Sequence, residues 1–244
     1  MNPVLPSFAA LVFLASFVSW VGCRTEPRKA PDASAATRSV KPGINAEYLK
    51  PNLVVSNWVE RFEKEGREIY DHRESLVTAA RVRRGSVVAD IGCGTGLFTP
   101  MLAHGAGSRG KVYAVDIVPE FLKWVEQRAA QDGLRNVQTV LCTERSVELP
   151  PGSIDMAFLC DVYHHFEYPR ESLASLHRAL RKDGEVLLID FKRVPGVSSA
   201  WILDHVRAGQ DEVTAEWEAA GFVRMEELPL LKDNYVLRFR KTGR

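Results

Sequence analysis

The sequence predicts a single α/β domain: a seven-stranded, mostly parallel sheet with helices on both faces, closed by a C-terminal antiparallel hairpin. Three observations carry this. Five strand-like runs alternate with helical stretches, which is the pattern of a parallel sheet covered on both sides. The last two strand-like runs are joined by too few residues for a crossover helix, so they pair antiparallel. The first run ends in a glycine-rich turn, DIGCGTG, and in such sheets ligands sit outside the carboxyl ends of the strands.

Taken in order, the chain starts with an uncharged run, VLPSFAALVFLASFVSWVG at residues 4–22, that approaches the length of a membrane span. Two assignments stay open: a signal peptide ending at Cys23 in a lipoprotein-like VGC site, or an uncleaved anchor. No Lys or Arg precedes the run, whereas Arg24, Arg28, Lys29, Arg38 and Lys41 follow it. The positive-inside tendency would then leave an uncleaved chain with its C-terminal domain in the cytoplasm. Residues 1–23 are assigned to this signal or anchor. Residues 24–44, rich in Ala, Pro, Ser and Thr, form a disordered linker, and residues 45–244 form the domain.

Within the domain, apolar residues at helical spacing (Leu53, Val54, Trp58, Val59, Phe62, then Ile69, Leu76, Val77, Ala80) predict two helices broken near Gly66. The parallel strands are SVVADI, KVYAVDI, VQTVLC, IDMAFLC and EVLLIDF. Helices are expected over LFTPMLAHG, PEFLKWVEQRAAQDG, PRESLASLHRALRKDG and VTAEWEAAG, and the hairpin over FVRMEELP and NYVLRFRK.

Composition narrows the ligand. With 244 residues, 45% of them hydrophobic, the chain can bury one substantial core. Its 32 basic and 31 acidic residues leave a net charge of +1, without the electrostatic footprint of a nucleic-acid binder, so small molecules are the expected partners. Cys23, Cys93, Cys142 and Cys160 form no CxxC pair and suggest neither a zinc site nor a disulfide framework.

Glycines in the first strand-to-helix turn let the backbone adopt conformations closed to other residues and approach a ligand with no Cβ in the way. A dinucleotide fingerprint requires G-x-G-x-x-G. Counted from Gly92 and Gly94 its third position is Leu97, and counted from Gly94 and Gly96 it is Thr99. No Gly-Lys-Ser/Thr follows, which excludes a P-loop. A nucleoside-like ligand without a pyrophosphate fits better.

The stretch from Asp90 to Gly96 resembles motif I, D/E-x-G-x-G-x-G, of class I S-adenosylmethionine-dependent methyltransferases, and the strand count and terminal hairpin are those of that family's Rossmann-like sheet. ERFEKEGREIYDHR, DVYHHF and NYVLRF further resemble a bacterial branch acting on small molecules. The resemblance implies S-adenosyl-L-methionine as cofactor, with Gly92, Gly94 and Gly96 facing its methionine half. Amides of the helix beginning near Leu97 would meet its carboxylate. Asp116 would accept from the ribose hydroxyls, since a carboxylate can take two at once. Asp90 would act on the ammonium or hold the glycine loop. Glu144 is assigned to the adenine, although CTERSVELP departs from the family's usual acid there. Tyr70, His72 and Arg73 resemble positions from which N-terminal helices cover the cofactor.

The run Cys160-Asp161-Val162-Tyr163-His164-His165-Phe166 lies where the family lines its methyl pocket. Methyl transfer from a sulfonium depends mainly on positioning, and a base is needed only for a protonated acceptor. Asp161, His164 and His165 are the candidates, with helix capping or loop support as the alternative. Adjacent histidines point apart on a strand or helix, so no metal is expected. Asp190 and His205 could face the substrate, and the insertion at residues 193–210, with Trp201, is where acceptor specificity is expected.

The expected function is methyl transfer to a small or membrane-associated acceptor. A membrane-tethered binding protein without turnover and a nicotinamide-dependent dehydrogenase are the alternatives. Because the cofactor is a cytosolic metabolite, a membrane-attached domain facing the cytoplasm is favoured over an exported lipoprotein.

Overall fold

A computed structural model describes Met1 and residues 38–243; the expected signal or anchor and most of the linker lie outside the described residues. Strands β1 (Val87–Ile91), β2 (Lys111–Asp116), β3 (Val137–Leu141), β4 (Ile154–Cys160), β5 (Leu180–Phe191), β6 (Phe222–Glu227) and β7 (Asn234–Lys241) form one seven-stranded sheet. Its order is β3-β2-β1-β4-β5-β7-β6. The first five strands are parallel, while β7 runs antiparallel to both β5 and β6. The predicted architecture is therefore the observed one, down to the terminal hairpin.

Helices α1 (Val55–Phe62), α2 (Glu68–Asp71) and α3 (Arg73–Ala80) precede the sheet; the chain breaks at Gly66 (φ 85°) as expected, but the second expected helix is interrupted at His72 (φ −100°, ψ 10°), which makes three helices rather than two. Helices α4 (Thr99–Ala106), α5 (Pro119–Gln131) and α6 (Pro169–Ala179) connect successive strands, and α7 (Ala200–His205) and α8 (Gln210–Ala219) follow β5. Consecutive β5 residues serve opposite faces, as strand alternation requires. Leu188 packs with Trp217, Leu176 and Phe239 on one face, and Leu187 with Leu76, Leu102 and Val236 on the other.

Two local details bear on the site. Helix α4 runs from Thr99 with Phe98 at its N-cap, whose carbonyl accepts from the Leu102 amide, close to the start expected near Leu97. Part of the insertion is helical: α7 is started by Ser199, whose hydroxyl oxygen accepts from the Ile202 amide. The last residues assigned to the linker also hold to the domain. Glu167 accepts from the Ser39 hydroxyl and the Gly43 amide, and its carbonyl accepts from Val40. Among the described residues no helix is long and apolar enough to cross a membrane.

The functional consequence lies in the strand order. The sheet grows outward from β1 through β2 and from β4 through β5, so a crevice opens where the order reverses, beyond the carboxyl ends of these strands. Asp90, Asp116, Asp161 and Asp190 stand at or near the ends of β1, β2, β4 and β5 and all fall on that edge.

Candidate functional site

One continuous cavity of about 640 Å³ occupies this edge. It is lined by Asp90, Gly92 and Gly94 beside β1, Asp116 at the end of β2, Thr143 and Glu144 after β3, and Asp161, His164 and His165 after β4. The N-terminal segment contributes Tyr48, Phe62 and Arg67, and the insertion contributes Trp201 and His205.

The three glycines of the turn all have positive φ (68°, 51° and 77°), yet they are glycine for different reasons. A Cβ on Gly92 would stand 2.1 Å from Val162 Cγ2, and one on Gly96 would stand 2.8 Å from Val125 Cγ2. Those two positions let the β4 loop and α5 pack against the turn. At Gly94 the nearest group is the Phe62 ring at 3.7 Å, an ordinary contact across cavity space. Gly94 is thus where the missing side chain leaves room for a ligand. The turn is further clamped from α5 and the end of α1: Glu63 accepts from the Thr95 hydroxyl and from Arg128.

Asp116 is 7% exposed. One carboxylate oxygen accepts from the Gly94 amide at 2.8 Å and the other from the Val118 amide at 2.9 Å. Burial pushes its pKa up to about 6, with the backbone donors opposing. A carboxylate offers about four acceptor sites, so two amides leave capacity for a pair of hydroxyls. Asp90, 3% exposed, accepts from the Thr99 hydroxyl at 2.6 Å, which ties the end of β1 to the first residue of α4. Burial pushes its pKa up to about 7, against the Thr99 hydrogen bond. A ribose at Asp116 and a cationic sulfonium and ammonium near the two acids match what this end offers, and Leu97 lines the cavity where a dinucleotide fingerprint would need glycine.

Asp161 adopts φ 51°, a conformation that Asp tolerates better than most residues. It pairs with the Arg67 guanidinium and accepts from Asn234 Nδ2 at 2.6 Å. Burial raises its pKa to about 6 and Arg67 opposes this. With both oxygens engaged, Asp161 acts more readily as an anchor for Arg67 than as a base. Arg67 and Ile69 line the cavity beside Arg61 and Phe62 of α1. Tyr70 and Arg73, assigned to that cover, are outside the lining; the Arg73 guanidinium lies 4.2 Å from the Tyr70 ring centroid and donates to its carbonyl.

His164 is almost fully buried, and its Nδ1 stands 2.7 Å from Asp190 Oδ1, while its amide donates to Asp190 Oδ2. That leaves Nε2 as the nitrogen open to other partners. Burial, followed by His164, His205 and Lys41, pushes the His165 pKa down to about 2, and its buried Nδ1 has no hydrogen-bond partner among the described residues. Contrary to the expectation for neighbours, the two rings lie 4.3 Å apart. They sit on a single 3₁₀ turn, Tyr163–His165, from which the chain leaves in an extended conformation at Phe166. Tyr163 is wholly buried and donates to Glu216, which gives it a packing role.

Residues 89–188 match a methyltransferase domain. A demethylmenaquinone methyltransferase of Geobacillus stearothermophilus is 24% identical over 214 residues, covering 76% of this chain and 88% of the relative. A ubiquinone/menaquinone biosynthesis C-methyltransferase of Marinomonas is 28% identical, over 65% of this chain and 60% of the relative. Further quinone-pathway relatives are matched over 44% to 66% of their length. In fold, the chain is similar to a SAM-dependent methyltransferase from Aquifex aeolicus, with a TM-score of 0.69 at 24% identity, over 78% of this chain and all of that one.

Proposed function

The chain is an S-adenosylmethionine-dependent methyltransferase, and from that premise we propose that it methylates a small, largely apolar acceptor of the phenol or quinol class. S-Adenosylmethionine, when bound, supplies an activated methyl group on a cationic sulfur. The observation that carries the reading is the division of the cavity: the glycine turn, Asp90 and Asp116 stand on the β1–β2 side, while Phe166, Phe191, Trp201 and the histidines stand on the β4–β5 side.

In this reading Gly94 admits the cofactor, Asp116 holds its ribose, and Asp90 and Asp116 supply negative charge opposite its cation. Glu144, in the loop after β3, is within the lining for an adenine contact. Arg67, held by Asp161, covers the cavity from the N-terminal helices and limits water, which protects a hydrolysable donor. The aromatic wall orients a flat acceptor ring, and His164 and His165 stand where its hydroxyl would be received. Two relatives whose names place them in quinone pathways support this acceptor class.

The test is transfer of labelled methyl from the cofactor to a panel of quinols and prenylated phenols, set against polar amines, peptides and RNA. Label recovered in the organic extract from the phenolic acceptors is the expected result. Label confined to amines, peptides or RNA contradicts this acceptor class.

The uncharged run at residues 4–22 suggests attachment at a membrane, where such an acceptor resides, with the domain on the side on which the cofactor is made. A reporter active only in the cytosol, fused after Arg244, should then be active. A silent fusion on a stably expressed chain would mean export.

A further inference from the structure

Half of the chain's six histidines gather in one place. His164 and His165 come from the 3₁₀ turn after β4, and His205 from the end of α7, some 40 residues later. One nitrogen from each lies within 4.8 Å of the other two, and all three residues line the cavity. The His205 ring centroid is 5.2 Å from each of the others.

We propose that His164, His165 and His205 bind a divalent transition metal of the zinc class, and that its open position faces the acceptor end of the cavity. Three imidazoles with a fourth position free are the donor set of a reactive rather than a structural zinc site. At Zn–N distances of about 2.0–2.1 Å the nitrogens of a tetrahedral site stand roughly 3.3 Å apart, so closure needs movements of about an ångström.

Two further features fit. The Asp190 carboxylate on His164 Nδ1 leaves Nε2 for the ion and fixes the ring, the usual support of a metal-bound imidazole. The buried Nδ1 of His165 has no hydrogen-bond partner among the described residues, which marks it as a polar atom suited to a ligand.

An apolar shell encloses the cluster. Trp201 stacks on His205 with centroids 4.6 Å apart, and Tyr48 and Phe191 meet His165 and His164 edge-on. Lys41 opposes a cation here, but its ammonium is tied to the carbonyl oxygens of Asp204 and His205, and the buried Asp190 carboxylate offsets it.

Such an ion would take an acceptor hydroxyl in its open position and lower the hydroxyl's pKa, so that its proton leaves to water at neutral pH. This role for the ion rests on the methyltransferase reading. Metal uptake by the three histidines does not.

The experiment uses the full chain, stripped with a chelator and dialysed, then titrated separately with zinc and cobalt(II). One equivalent of each is expected, with the intense visible bands of tetrahedral cobalt. His205→Ala, on a short surface helix, and His165→Ala should each weaken uptake roughly 100-fold. Asp190→Asn should weaken it about 10-fold through ring orientation. Uptake that is absent in wild type, or unchanged in both histidine variants, overturns the site. S-Adenosylhomocysteine binding is measured on the same metal-free wild-type sample: its absence counts against the methyltransferase reading and leaves the metal result standing.

Discussion

Gly94→Val is expected to weaken cofactor binding on the order of 100-fold while the protein stays folded. Two effects combine. At φ 51° a β-branched residue is held in left-handed geometry, at a cost of roughly 1–2 kcal/mol to the turn. Its methyl groups would also enter the space between the glycine turn and Phe62, which is the space the cavity offers a ligand. Calorimetric titration with S-adenosylhomocysteine should show a loss on the order of 100-fold, about 2.7 kcal/mol. Gly92→Ala is the contrasting variant. Its Cβ would lie 2.1 Å from Val162, so the main effect there is a lower denaturation midpoint. If Gly94→Val bound the product as wild type does, Gly94 would have no part in the cofactor site.

Asp116→Asn is expected to cost comparable affinity and to change its pH dependence. The carboxylate accepts from two backbone amides and retains capacity for two hydroxyls, and hydrogen bonds to a charged group contribute about 1.5–3 kcal/mol each. An Asn side chain would turn an NH₂ toward one of those amides and would lose the charge that attracts a cation.

The sign of the pH effect follows from burial. Asp116 and Asp90 move from the usual 3.8 to about 6 and about 7, so the ligand-free fold holds their contribution to stability at acid pH. It loses that contribution as pH rises through those values. A cationic ligand favours the ionised carboxylates. Its affinity should therefore climb between about pH 5 and 7, with proton release, and level off above. In Asp116→Asn the lower part of this rise should disappear. A pH-independent affinity in wild type would mean that neither acid faces the cofactor's charge.

Much of the fold could be read directly from the chain. Runs such as VVADI and EVLLIDF are β-branched or apolar without polar alternation, as central parallel strands buried on both faces must be, and the short link before NYVLRFRK left only an antiparallel pairing. The glycine turn and Asp116 were visible because their chemistry is local: a backbone conformation and an acid at a strand end.

What stayed hidden depends on distant parts of the chain meeting. Arg67 becomes the cover of the cavity because the fold sets it against Asp161, and helical spacing alone could not distinguish it from Tyr70 or Arg73. Gly92 and Gly96 are glycine because of Val162 and Val125, which no reading of the motif itself contains. The histidine cluster needed both an irregular turn, where the rule that neighbours diverge does not hold, and a third ring from α7, an element with only six residues and no buried face.

The decisive measurement is calorimetric titration of the wild-type protein with S-adenosylmethionine and S-adenosylhomocysteine. One equivalent of each should bind at a single site, the cation more tightly as pH rises through about 6 to 7. No binding of either molecule by folded protein would contradict the assignment of this cavity to the cofactor.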